Sequence, residues 1–144
     1  MQEKEEGKNA FFLFYLDQQA YALPLRQVEC VVRAVEIYPL PLAAAELLGV
    51  INFQGSPVPV WNMRKLLALP EREARLDDAL VIVKEQALTA FLADRVSGIF
   101  SCTQADVAYE ESCAMRGISG IAKRAGEIVY LCDLKQMLPK CGTV

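Results

Sequence analysis

The sequence contains no histidine among its 144 residues. Histidine is the commonest general base and the commonest metal ligand in proteins, so Ser–His and Cys–His catalytic pairs are excluded. The chain also lacks a Walker-type phosphate loop and a Gly-x-Gly-x-x-Gly run. Its adjacent carboxylates lie in polar stretches, where such pairs are usually solvated: Glu5-Glu6, Asp77-Asp78 and Glu110-Glu111. These absences favour a protein that is not an enzyme.

Basic residues are too few and too scattered for a nucleic-acid-binding surface. The chain has 15 Lys and Arg against 18 Asp and Glu, a net charge of −3, and no long basic stripe. No apolar run approaches the roughly 20 residues that span a bilayer, and no apolar signal core stands at the N-terminus. We therefore expect a cytoplasmic protein that neither binds nucleic acid nor inserts into a membrane.

The five cysteines do not form a metal or redox motif. Their number is odd, and no pair has the two-residue spacing typical of zinc and disulfide-exchange sites. Reduced thiols in apolar surroundings are the simplest interpretation. The sequence thus predicts neither a metal site nor a cofactor.

The chain is organised around residues 49–62, which read Gly-Val-Ile-Asn-Phe-Gln-Gly-Ser-Pro-Val-Pro-Val-Trp-Asn. Two β-prone runs flank Gln54–Pro57, so the pattern predicts a hairpin with a loop of about four residues. Gly55 can adopt a positive φ at no steric cost, which suits a turn. Asn62 is a good N-cap for a short helix over Met63–Ala68.

The same unit recurs later in the chain, which predicts a structural duplication. A shift of 71 residues aligns the turn glycines and the helix caps: Gly49 with Gly120, Gly55 with Gly126, and Asn62 with Asp133. A shift of 68 aligns the preceding strands: Phe12 with Leu80, Phe14 with Ile82, Leu23 with Phe91, Val28 with Val96, and Val31 with Ile99. The alternative is that two β units match by composition alone.

The duplication divides the chain into two halves of about five strands each. We expect a disordered tail over 1–9, one domain over 10–140 with halves at about 10–69 and 79–140, a linker at 70–78, and a tail over 141–144. Ala10–Leu16 is apolar at every position, which predicts a strand buried on both faces. Thr103–Arg116 predicts a long loop, and a final helix is expected to end at Leu138. The predicted class is all-β, with two five-stranded barrels.

Two segments resemble the core motif of the CheW-like domain family. Residues 48–55 read Leu-Gly-Val-Ile-Asn-Phe-Gln-Gly, and residues 58–64 read Val-Pro-Val-Trp-Asn-Met-Arg. The opening Phe12-Leu13-Phe14, the segment 28–33 and the ending 131–134 fit the same family, so the resemblance covers about residues 10–140. It implies two intertwined five-stranded barrels similar to SH3 barrels, with short capped helices. It also implies an adaptor without catalytic activity, which joins the cytoplasmic tip of a chemoreceptor to the regulatory domain of a CheA-type histidine kinase.

The resemblance also carries over candidate partner-binding residues by position. The receptor groove of the family is matched by Val28, Gly49, Asn52, Val96 and Ile99, and a kinase contact is matched by Gly55. Two further groove candidates depart from the family pattern. Gln54 stands where the family usually has Arg before the turn glycine, and Cys30 stands where it usually has Glu, two residues after Val28. A charged, directional contact is thereby replaced by weaker groups.

Each assignment has a structural alternative. Val28, Val96 and Ile99 could be ordinary core positions, and Gly49 and Gly55 could serve backbone geometry alone. The uncharged residues at positions 30 and 54 leave a second function open, a divergent barrel module that binds another protein or a small ligand outside a receptor–kinase array. An enzyme that uses Asp, Glu or Cys is the third class.

Overall fold

The computed structural model describes residues 8–33, 35–41, 44–103, 107–108 and 117–138. Within these ranges the chain is almost entirely β-structure with two one-turn helices, which confirms the all-β prediction. The strands are β1 (Lys8–Leu16), β2 (Gln19–Pro24), β3 (Val28–Arg33), β4 (Leu47–Phe53), β5 (Ser56–Trp61), β6 (Ala79–Glu85), β7 (Ala87–Ala93), β8 (Arg95–Thr103), β9 (Val107–Ala108), β10 (Ile118–Arg124) and β11 (Glu127–Cys132), and the helices are α1 (Met63–Leu66) and α2 (Leu134–Met137).

Several predicted features fall partly or wholly outside the described residues. They are most of the N-terminal tail 1–9, most of the loop Thr103–Arg116 and the C-terminal tail 141–144. β1 begins at Lys8, two residues inside the predicted tail. It extends beyond the apolar run because main-chain pairing in a sheet does not require apolar side chains.

The strands form two sheets, each within its own compact unit. Unit 1 consists of the chain up to Arg26 and from Val96 onward, and its sheet has the order β8-β1-β2-β11-β10-β9. Unit 2 consists of Gln27–Arg95, and its sheet has the order β3-β6-β7-β5-β4. These boundaries differ from the predicted halves 10–69 and 79–140, because the hairpins exchange partners. β2 of the first half pairs with β11 of the second, and β7 of the second half pairs with β5 of the first.

The two sheets have equivalent strand orders once each strand is replaced by its repeat partner, as a duplication requires. The later core positions correspond at the predicted shift of 71: Ile51 with Ala122, Val58 with Val129, and Val60 with Leu131. In the first strand, however, Phe11 corresponds to Leu80, a shift of 69, so the predicted pairing of Phe12 with Leu80 is wrong by one residue. A one-residue slip exchanges the two faces of a strand. Since both faces of β1 are apolar, the sequence pattern could not distinguish the two registers.

The core of unit 1 centres on one face of β1. Its buried members are Phe11, Leu13, Tyr15, Ala20, Ala22, Ala122, Val129 and Leu131. Phe12, Phe14 and Leu16, which alternate with the core residues along β1, are buried as well. Both faces of β1 are therefore buried, as the unbroken apolar run predicted.

The core of unit 2 is built from aliphatic residues. Its buried members are Ile51, Val58, Val60, Leu80, Ile82 and Ala90. The chain that follows β3 closes this sheet against β4: Tyr38 and Val50 exchange backbone hydrogen bonds of 2.8 and 2.9 Å. In unit 1, β9 pairs with Ile121 at the equivalent place. Unit 2 is thus a five-stranded arrangement of the SH3 type, and unit 1 has the same arrangement with the two-residue strand β9 as a sixth strand.

Both repeat hairpins turn in two residues. Gln54 and Gly55 have φ values of +55° and +87°, and Ala125 and Gly126 have +50° and +81°. Positive φ at both central residues is type I′ geometry, which matches the twist of a two-stranded ribbon. The predicted four-residue loop was too long, since β5 already begins at Ser56.

The predicted helix caps are confirmed. The side chains of Asn62 and Asp133 each accept a backbone N–H from the first helical turn at 3.1 Å. The helices are shorter than expected. α1 ends at Leu66, before Ala68, whose φ is +59°, and α2 ends before Leu138, whose backbone is extended.

Candidate functional site

The β4–β5 turn gathers three candidate residues at one end of unit 2. Asn52, Gln54 and Gly55 are all exposed, and the Asn52 Oδ1 accepts the N–H of Gly55 at 2.9 Å. A Cβ atom built on Gly55 meets no atom within 4 Å. The positive φ of the turn, rather than packing, therefore accounts for this glycine. The turn presents an open surface without charge.

Gly49 is buried in β4 and has a packing role. Its φ is +153°, and a Cβ atom there would lie 2.4 Å from the carbonyl oxygen of Tyr38 and 2.9 Å from the Ile37 Cγ2. It also lies at the register irregularity of the β4–β5 pair. Gly49 permits the close approach that closes the sheet of unit 2, which supports the alternative that this glycine serves backbone geometry.

β3 carries Val28 and Cys30 at the first position in the strand order of unit 2. Val28 is paired with Val83 and Cys30 with Ile82, with a register irregularity between the two pairs. Both side chains are half-buried, and Cys30 packs against the core. Burial raises the pKa of the Cys30 thiol, and the neighbouring carboxylate of Glu29 raises it further. Cys30 is therefore an uncharged thiol at neutral pH, and it offers a partner no negative charge.

β8 carries Val96 and Ile99 in unit 1. Val96 is 37% exposed and Ile99 is 59% exposed, so neither is an ordinary core residue. Their neighbour Phe100 instead packs against the core, where its ring stacks on that of Phe11 with centroids 5.6 Å apart. The candidate residues thus divide between the units: these two lie in unit 1, and the other six lie in unit 2.

Exposed apolar residues near β3 were not among the predicted site residues. They are Val31 within the strand and Val35, Tyr38 and Leu40 after it. Apolar residues in a β-prone run are normally assigned to the core. The available signal was the pair of prolines in this segment, which marks an extended chain at the surface.

Unit 2 also contains a network of ion pairs that the sequence pattern does not predict. Arg64 of α1 donates to both carboxylate oxygens of Asp94, at 2.9 and 2.7 Å, and Arg72 donates to Asp94 at 2.5 Å and to Asp78 at 2.7 Å. Asp78 is only 3% exposed, so the expectation that Asp77-Asp78 is solvated was wrong for Asp78. Hydrogen bonding to Asp78 raises the pKa of the Arg72 guanidinium, against the effect of burial. The network ties the segment 70–78 to the end of β7.

Two cysteine side chains lie within the described part of the chain, and both are free thiols. Burial raises the pKa of Cys132 to about 12. The side chains of the other three, Cys102, Cys113 and Cys141, lie outside the described residues. Among the residues that the structure describes, no group of three His, Cys, Asp or Glu could hold a metal ion. No described helix is long and apolar enough to cross a membrane.

Comparison with known proteins agrees with this architecture. Residues 10–141 match the family described as CheW-like domain. A chemotaxis protein CheW from Thermotoga maritima is 28% identical over 127 residues, which cover 87% of this chain and 84% of that protein. One from Helicobacter pylori is 22% identical over 143 residues, which cover 96% and 87%. The crystal structure of the scaffolding protein TtCheW from Thermoanaerobacter tengcongensis superposes with a TM-score of 0.85 at 21% identity, covering 94% of this chain and 95% of that one, and shows the same fold.

Proposed function

Because this chain belongs to the CheW-like domain family, we propose that it is a non-enzymatic adaptor that joins a chemoreceptor tip to the regulatory domain of a CheA-type histidine kinase. The family match over residues 10–141 carries the proposal, and relatives named chemotaxis protein CheW support it. In this proposal the adaptor works in the cytoplasm without a cofactor. Its contribution is to hold receptor and kinase together, so that the receptor conformation biases kinase activity.

Gly55 is the proposed kinase contact. Its turn is exposed, and a side chain at this position would project into open space. A large side chain there would consequently obstruct a partner without entering the core of unit 2. Gly126 provides a matched control, because it occupies the equivalent turn of unit 1 and also has open surroundings.

The proposed receptor groove uses both apolar and amide side chains. Its members are Val28, Cys30, Gly49, Asn52, Gln54, Val96 and Ile99. Val96 and Ile99 contribute exposed apolar surface, and Asn52 and Gln54 contribute exposed amides. Gly49 contributes indirectly, through the backbone geometry of β4. Since no member carries a charge, we expect receptor affinity to change little with salt concentration.

The proposal is tested by calorimetric titration of the full chain with the regulatory domain of each CheA-type kinase from the source organism. We expect micromolar affinity for one kinase. Gly55→Trp should weaken this affinity at least about tenfold, whereas Gly126→Trp should leave it within about twofold. The receptor arm of the proposal is tested by titrating a receptor-tip fragment at low and high salt.

Two results would contradict the proposal. If the chain bound neither a kinase domain nor a receptor fragment at tens of micromolar, the adaptor function would be excluded. The uncharged Cys30 and Gln54 would then favour the alternative of a divergent barrel that binds another protein or a small ligand. If the two tryptophan variants weakened kinase binding equally, the assignment of the contact to the Gly55 turn would be wrong.

A further inference from the structure

β8 exposes two apolar side chains that a regular strand would place on opposite faces. Val96 and Ile99 are three residues apart, and successive side chains of a strand alternate between its faces. Both are nevertheless exposed, while Phe100 packs into the core of unit 1. Something must interrupt the regular alternation between Val96 and Ile99.

Gly98 provides this interruption. Its φ is +121°, a backbone conformation that residues with a side chain rarely adopt. A Cβ atom built on Gly98 meets no atom within 4 Å, so packing does not account for the glycine. The positive φ of this position accounts for the glycine instead.

The repeat supports this interpretation. A shift of 68 residues aligns Gly98 with Cys30, and the β3–β6 pair has its register irregularity between Val28 and Cys30. The positive φ of β8 thus lies at the repeat position of Cys30, which borders the irregularity of β3, and both strands carry candidate site residues. In β3 the inward position is filled by the Cys30 side chain, which packs on the core, and in β8 it is left without a side chain.

We infer that Gly98 is a positioning residue of β8. Its backbone conformation places the side chains of Val96 and Ile99 on the same exposed apolar surface, which contacts the partner. The identity of the partner, the helical tip of a receptor, rests on the proposed function. The chain from Val96 to Ser101 carries no charged side chain, and Val96 and Ile99 are its exposed apolar members. Gly98 itself acts through its two neighbours and need not touch the partner.

The test compares Gly98→Ala with Gly126→Ala in the full chain. Both glycines have positive φ and open surroundings, so both substitutions impose backbone strain without a steric clash. Calorimetry with a receptor-tip fragment should show at least about a tenfold loss of affinity for Gly98→Ala and less than about a twofold loss for Gly126→Ala. Affinity for the kinase regulatory domain should stay within about twofold for Gly98→Ala, which also shows that the variant is folded.

A second readout does not depend on the partner. Methyl NMR with a soluble paramagnetic probe reports the exposure of Val96 and Ile99 directly. Both methyl signals should broaden in the unsubstituted chain, and one of the two should become protected in Gly98→Ala. Unchanged exposure of both, or equal losses of receptor affinity in the two variants, would overturn the inference. If the unsubstituted chain bound no receptor fragment, the proposed function would fail, whereas the methyl exposure would still decide the role of Gly98.

Discussion

Replacing Gly49 by alanine should break the contact between β4 and the chain that follows β3 in unit 2. The added Cβ would lie 2.4 Å from the carbonyl oxygen of Tyr38. Ordinary contacts of a Cβ atom begin at 3.4 Å, so the chain after β3 must move about 1 Å away from β4. The two backbone hydrogen bonds between Tyr38 and Val50, at 2.8 and 2.9 Å, leave little room for such a shift.

The expected destabilisation is a sum of two effects. The net contribution of one hydrogen bond to the free energy of unfolding is about 0.5–1.5 kcal/mol. Because Tyr38 is half-exposed, its two bonds to Val50 lie near the lower end of this range. An alanine held at the positive φ of Gly49 costs about 1–3 kcal/mol more. We therefore expect the free energy of unfolding to fall by about 2–4 kcal/mol, a large part of the roughly 5–15 kcal/mol that a domain possesses.

Urea unfolding followed by tryptophan fluorescence measures this change, since the single Trp61 lies in β5 of the same unit. Gly55→Ala is the control: it also has positive φ but no neighbouring atom, so it should show the backbone strain without the clash. If Gly49→Ala destabilised the protein no more than Gly55→Ala, the closure of unit 2 would not depend on the close approach to Tyr38.

Three further predictions concern stability. Asp94→Asn weakens the ion network of unit 2 and should lower the free energy of unfolding by about 2–3 kcal/mol, which is less than for a fully buried pair because the Asp94 side chain is 20% exposed. Thermal unfolding of this variant and of Glu73→Gln, a control at an exposed position, measures the loss, and equal losses in the two variants would contradict the prediction. Ala125→Asn should raise the free energy of unfolding by about 0.5–1 kcal/mol, because Asn tolerates the positive φ of this turn better than Ala; a lower unfolding midpoint would refute the assigned turn geometry. The Cys132 thiol has its pKa raised to about 12 by burial, from a reference of 9.0, so its contribution to stability is present below pH 9.0 and is lost as the pH rises towards 12. The difference in stability between the unsubstituted chain and Cys132→Val should therefore shift in favour of the variant over this range, and a constant difference would show that the thiol titrates normally.

Local features of the fold were predictable because their causes are local. The turn at Gln54 and Gly55 and the caps Asn62 and Asp133 each depend on a few adjacent residues. The exchange of hairpins was not predictable in this way. β2 and β11 pair through Ala20 and Val129, which are 109 residues apart in sequence, and the residues of neither strand specify which strand it pairs with.

The candidate site was predictable to a similar extent. The hairpin turn at Gly55 was predictable from its local sequence, and the exposure of the turn follows from hairpin geometry. The burial of Gly49 depends instead on the approach of Tyr38, which is a tertiary contact. The ion network likewise joins charges as distant in sequence as Arg64 and Asp94, and only the folded chain brings them together.

The exchange of hairpins has a consequence for how the protein is made. The β1–β2 hairpin leaves the ribosome before the other strands of its sheet, and one of its two neighbours in that sheet, β11, ends only at Cys132. The β1 edge of the hairpin lacks β8 until Thr103 has been made, and the β2 edge lacks β11 until Cys132 has been made, so these edges stay open to incorrect pairing. The sheet of unit 2 needs only residues up to Ala93 and can form earlier. Synthesis should therefore pass through a stage in which unit 2 is folded while the N-terminal hairpin still needs protection by chaperones.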